Sequence, residues 1–170
     1  MFEKINLLNF WNDSDYAKEE YIEETPTDQE IEEIEKELGY KLPESYIWLM
    51  KKHNGGIPVK KAFPTKEATN WASDHIAISG IMGIGKNKTY SLCGELGSKY
   101  LINEWQYPPI GVVICNCPSG SSLVFLDYTE SDNEPKVSYV EADNDYKKIV
   151  LANNFEKFIC GLVSEDKFDW

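Results

Sequence analysis

Gly111-Val112-Val113-Ile114-Cys115, and after it Leu123-Val124-Phe125-Leu126, decide the fold. Each is a short apolar run bounded by Gly, Pro, Ser and Asn, and apolar residues stand at both odd and even positions. A strand with both faces apolar belongs inside a sheet. The runs predict strands over 110–116 and 122–127, the first of them central. Ser131-Asp132-Asn133-Glu134-Pro135 reads as the loop of a hairpin leading to a further strand at Lys136–Glu141, and His75–Ser79 reads as another.

Outward from this β region the periodicity becomes helical. Thr27-Asp28-Gln29-Glu30 is a capping box, Ile31, Ile34 and Leu38 share one face, and Gly39 supplies a left-handed stop. Glu32, Glu33, Glu35 and Glu37 read mostly as a solvated face. A second helix starts near Pro43, with Tyr46, Leu49 and Met50 inward, and breaks at Asn54-Gly55-Gly56. A closing helix takes Asn153 as its cap and Phe155, Phe158, Ile159 and Leu162 as its inner stripe. Helices, then a mostly antiparallel sheet, then a helix make a single α+β domain. The expected division is a helical or extended arm at 1–24, carrying Phe2, Ile5, Leu8 and Trp11, a domain at 25–164, and a short tail at 165–170. The arm can pack on its own domain or on a second copy, so the chain is expected as monomer or homodimer.

Composition excludes several functions. The chain has 170 residues, 42% of them apolar, including five Trp, ten Tyr and seven Phe, which is enough to fill a core. It has 17 Lys, no Arg and 29 acids, a net charge of -12. Nucleic-acid binders carry a basic face with Arg forks, so direct nucleic-acid binding is not expected, nor is binding to anionic membranes. No apolar run approaches the ~20 residues that cross a bilayer. Met1-Phe2-Glu3-Lys4 lacks the basic start and apolar block of a secretory signal, which points to the cytoplasm. Cys93, Cys115, Cys117 and Cys160 are too scattered for a disulfide framework and read as buried small apolar residues. His53 and His75 offer no zinc spacing, and neither a metal nor a cofactor is expected.

Three motifs imitate chemistry. Gly80-Ile81-Met82-Gly83-Ile84-Gly85-Lys86 fits a phosphate-binding loop, and Leu123–Asp127 an apolar strand ending in a magnesium-linked Asp. Asn87 stands where a Ser or Thr hydroxyl should hold the metal, and no strong helix follows. Glu141-Ala142-Asp143-Asn144-Asp145 alternates acids like a calcium loop but lacks the Gly and Glu that such a loop needs further on. No Ser or Cys has a recognisable His partner. An enzyme is not expected.

In order along the chain, Glu35-x-x-Leu38-Gly39-x-x-Leu42-Pro43-x-x-Tyr46, Asn54-Gly55-Gly56, Gly80, Tyr107-Pro108-Pro109-Ile110-Gly111, Phe125-Leu126-Asp127-Tyr128 and Phe155-x-x-Phe158 resemble the SUKH superfamily, in the branch typified by a yeast regulator of cell-wall synthesis. The resemblance runs from about Thr27 to Leu162 and implies a curved sheet flanked by helices. For bacterial members it implies immunity proteins that bind and neutralise a cognate toxin domain, often a nuclease, without catalysis. The family offers no shared catalytic residues to carry over. Where some relatives have Gly-His-Asp this chain has Gly120-Ser121-Ser122, so no role tied to that histidine is carried over. An acidic protein suits a basic nuclease partner, since it can imitate the phosphates of the substrate. The expected contact residues are the acids Glu130, Asp132, Glu134, Glu141, Asp143 and Asp145, with Trp71, Trp105 and Tyr128 as aromatic anchors. Alternatives are a regulatory scaffold that binds a host protein, and a nucleotide-binding enzyme using Gly85-Lys86.

Overall fold

The computed structural model describes residues 7–168. Phe2, Ile5 and the Met1–Lys4 start lie outside the described residues. Five strands form one antiparallel meander, in the order β3 (Gly80–Ile81), β4 (Gly111–Asn116), β5 (Ser122–Asp127), β6 (Lys136–Glu141) and β7 (Lys147–Ala152). A small second sheet pairs β1 (Ala62–Pro64) with β2 (His75–Ala77). Among the described residues five α-helices complete the α+β domain: α1 (Asp15–Glu20), α2 (Asp28–Leu38), α3 (Glu44–Lys52), α4 (Ser98–Trp105) and α5 (Phe155–Gly161).

The two apolar runs are the inner strands β4 and β5, and β5 is buried along its whole length. It pairs with β6 in unbroken register from Ser122↔Glu141 to Asp127↔Lys136. Helix α4 packs on β4, while α5 packs on β1, β6, β7 and α3. Ile114 is an extra residue in the β4 ladder: Val113 faces Phe125 and Cys115 faces Val124. The amide of Val113 therefore donates to the Ser98 hydroxyl at 2.8 Å, which fixes the start of α4 against the bulge.

Four details differ from the sequence reading. Pro43 caps α3 rather than entering its first turn, and Asn154, not Asn153, caps α5 through its side chain. Glu35 is buried, because its carboxylate accepts from the Leu42 amide at 2.7 Å and fastens the α2–α3 join. The cysteines are not alike: Cys115 and Cys117 are buried, Cys93 is half-buried and Cys160 is exposed on α5. Burial pushes the thiols of Cys93 and Cys117 up to about 12. One fast equivalent of a thiol reagent per native chain is expected, and Cys160→Ser should abolish it.

Residues 7–24 pack on their own chain. Trp11 stacks on His53 at 4.3 Å, and Tyr21 stacks on Tyr90 and donates to Asn116 Oδ1 at 2.7 Å. Asn54 ties this segment to the sheet: its Nδ2 donates to the carbonyls of Glu24 and Ile84, and its Oδ1 accepts from the Ile84 amide at 2.7 Å. The Gly-rich turn is occupied by these same groups. A Cβ on Gly80 would meet the Tyr21 ring, one on Gly83 the Asn54 backbone, and one on Gly85 the Glu23 carboxylate. Lys86 pairs with Glu37 at 3.4 Å. The glycines of 80–86 thus make room for neighbouring protein, as the reading against a phosphate-binding loop implies.

Asp127, compared above with a magnesium ligand, is 3% exposed and spoken for. It accepts from Thr129 N, Thr129 Oγ1, Ser138 Oγ and Lys148 Nζ, joining β5 to β6 and β7. Burial alone would raise its pKa; hydrogen bonds from Thr129, Lys148 and Ser138 outweigh burial and hold the carboxyl below the usual carboxylate range. A carboxyl with a depressed folded pKa stabilises the protein above its unfolded value of about 3.9, and that contribution disappears as pH falls through the folded pKa. Stability should therefore drop on acidification below about pH 4, and the drop should be shallower in Asp127→Asn, as read by denaturant midpoints across pH.

Candidate partner-binding surface

The nine candidate contact residues do not form one patch. β5 and β6 run antiparallel over six residues, so the β5–β6 turn and the β6–β7 turn lie at opposite ends of the sheet, ~17 Å apart along the strands.

At the first end, Glu130 pairs with Lys136 at 2.5 Å, and Glu134 accepts from Asn154 Nδ2 at 2.9 Å. Asp132 and Glu134 line an open groove of about 560 Å³ shared with Glu44 and Glu156. Tyr128 is withdrawn from this surface. Its ring packs on Tyr40 at 4.6 Å and its hydroxyl donates to the Lys41 carbonyl at 2.6 Å, so it is a core residue and not an anchor.

The second end gathers more of the candidates. Beyond β6 the chain turns through Asp145 and Tyr146, both with left-handed φ (53° and 57°). Asp143, Asp145 and Tyr146 are exposed there. The Tyr146 hydroxyl donates to the carbonyl of Trp105 at 3.1 Å, which brings the end of α4 to the same turn, and its ring meets Tyr107 edge-on at 5.5 Å. Trp105 is half exposed. Asp143 accepts from Asn70 Nδ2 at 3.0 Å and from the Ser121 hydroxyl at 3.3 Å. Tyr139 donates to Asn70 Oδ1 at 2.5 Å and accepts from Ser122 at 2.6 Å. These bonds lock the 66–74 loop, the β4–β5 turn and the β6–β7 turn together, so the acids above them sit on a rigid base.

Glu141 belongs to that base and not to the surface. It is 1% exposed, and its carboxylate accepts from the Asn70 amide. Trp71, next to Asn70, is half-buried in the wall of an open groove of about 580 Å³ lined also by Tyr16, Tyr21, Tyr90 and Pro118. Burial raises the phenols of Tyr107 and Tyr139 well above the usual tyrosine range, so they add no charge to this end, where the carboxylates stand beside Lys147, itself paired with Glu67 at 2.6 Å. Among the described residues no group of three or more His, Cys, Asp or Glu could hold a metal ion, and the calcium-like alternation at 141–145 is broken by Glu141 turning inward.

Sequence reading missed Tyr146, Asn70 and the exposed Tyr100. Lys147-Lys148-Ile149-Val150 carries no alternation to mark strand β7, so the tight connection at 142–146 shows only in the register of β6 on β7.

The fold and the ordered motifs define the class. The chain belongs to the SUKH superfamily: the family described as SMI1-KNR4 cell-wall, SUKH_6, matches residues 28–159. No curated protein matches the chain. The matched span covers every strand of both sheets and α2 to α4, with most of α5. No helix among the described residues is long and apolar enough to cross a membrane.

Proposed function

We propose that this chain is a non-catalytic immunity protein that binds a cognate toxin domain, a basic nuclease, and covers its substrate site. The observation that carries the reading is the pairing of exposed Trp105 and Tyr146 with Asp143 and Asp145 on a locked base, in a chain of net charge -12 without arginine. Aromatic side chains supply buried area at little entropy, and acids beside them suit the Lys and Arg with which a nuclease holds phosphates. Membership of the SUKH superfamily supports the same reading. Binding would be fast and salt-sensitive, because steering between net charges of opposite sign is screened over about 8 Å at physiological salt.

The test is a titration of the purified toxin domain with this chain, reading nuclease activity. Inhibition is expected to reach completion at one equivalent, with an association rate that falls as salt rises. Undiminished activity at excess chain would remove the reading. The cell-wall description of the matching family favours a second one, a regulatory scaffold bound to a host protein. Stoichiometric capture of a housekeeping protein, with no effect on any nuclease, would select it.

A further inference from the structure

The Gly-rich turn after β3 does hold an anion, and the anion belongs to the chain itself. Glu23, at the end of the N-terminal segment, is nine-tenths buried. Its Oε2 accepts from the Asn87 amide at 2.7 Å and from the Ser91 hydroxyl at 2.6 Å, and its Oε1 accepts from Asn87 Nδ2 at 3.3 Å. These donors are a backbone amide, a side-chain amide and a hydroxyl, the means by which turns hold anions without a cation. Gly85 makes the room: a Cβ there would lie 2.2 Å from Glu23 Oε2 and 2.5 Å from its Cδ. A buried carboxylate held only by donors and a glycine shaped to admit it are separate observations that agree.

We propose that the turn from Gly85 to Ser91 is a carboxylate-binding site, and that Glu23 is its resident ligand. The occupied site latches the segment carrying Trp11 and Tyr21 onto the domain. Two converging donors on one oxygen and a third on the other match a planar carboxylate, and the close approach at Gly85 leaves little space for a tetrahedral anion. When the side chain is removed, a small free carboxylate should take its place.

The experiment uses Glu23→Ala with sodium formate as the probe. Loss of the buried carboxylate leaves its donors unpaired and should lower Tm by about 4–12 °C. Formate at ~200 mM should return about 3 °C or more of that loss relative to chloride at equal ionic strength. Wild type, whose site is filled, and Gly85→Ala, whose methyl fills it, should gain no more from formate than from chloride. Should Glu23→Ala be unfolded in plain buffer, the same titration reads refolding by circular dichroism. Equal responses of Glu23→Ala to formate and chloride would overturn the site, and a larger response to inorganic phosphate would overturn its assignment to carboxylates.

Discussion

Gly55→Ala should lose at least ~4 kcal/mol of stability. Gly55 has φ +84°, a left-handed conformation that costs an L-residue roughly 1–2 kcal/mol. Strain is the smaller part. A Cβ there would lie 2.7 Å from the Gly83 amide and 2.8 Å from the Tyr21 carbonyl, both backbone atoms with no side-chain freedom to yield. To admit it, the turn after α3 must part from the Gly-rich turn. That would break the hydrogen bonds of Asn54 to Glu24 and Ile84, and the bridge between Gly56 and Ile81. Domains of this size have only about 5–15 kcal/mol in total and change Tm by roughly 2–4 °C per kcal/mol, so a fall of at least ~8 °C is expected by calorimetry. Gly120→Ala is the control, with φ +76° but nothing within 4 Å of its Cβ. It should lose only the strain, ~1–2 kcal/mol. Equal losses in the two variants would show that backbone approach at Asn54-Gly55-Gly56 is not what the motif is for.

The second large effect is on binding. Trp105→Ala with Asp145→Lys should weaken capture of the toxin domain by about 100-fold or more, since an interface Trp alone contributes ~2 kcal/mol or more and a reversed charge adds repulsion. Both side chains are exposed and neither spans the core, so Tm should stay within ~2 °C of wild type. The triple variant Glu130→Lys, Asp132→Lys, Glu134→Lys changes more charge at the other end of the sheet. It should slow association but leave dissociation almost unchanged. If the triple variant proves the more damaging of the two, the contact surface lies on the groove beside α3 and α5 instead.

What was legible in the sequence followed the strength of local signals. Ser122–Asp127 and Lys136–Glu141 appear as strands to the residue, because apolar runs bounded by turn residues have few other solutions. The capping box and Gly39 fixed both ends of α2 in the same way. Strand β7 was hidden by its two lysines and its place at the sheet edge, where one side meets solvent. Helix α4 has Gly97 at its cap and no side-chain capping bond, so no start signal precedes it. The acids were found by charge and aromatics by type, but neither property tells which residues share a surface. Glu141 and Tyr128 had the right chemistry and fold inward, because one accepts from the Asn70 amide and the other reaches the Lys41 carbonyl. Only the register of β5 on β6 divides the acids into two ends.

Nuclease inhibition by wild type and by Trp105→Ala/Asp145→Lys, side by side at one salt concentration, tests the proposed role most directly. The toxin domain should be silenced by one equivalent of wild type and remain active with one equivalent of the variant, while both chains melt together. Inhibition by both chains at equal concentration would contradict the surface, and inhibition by neither would contradict the role.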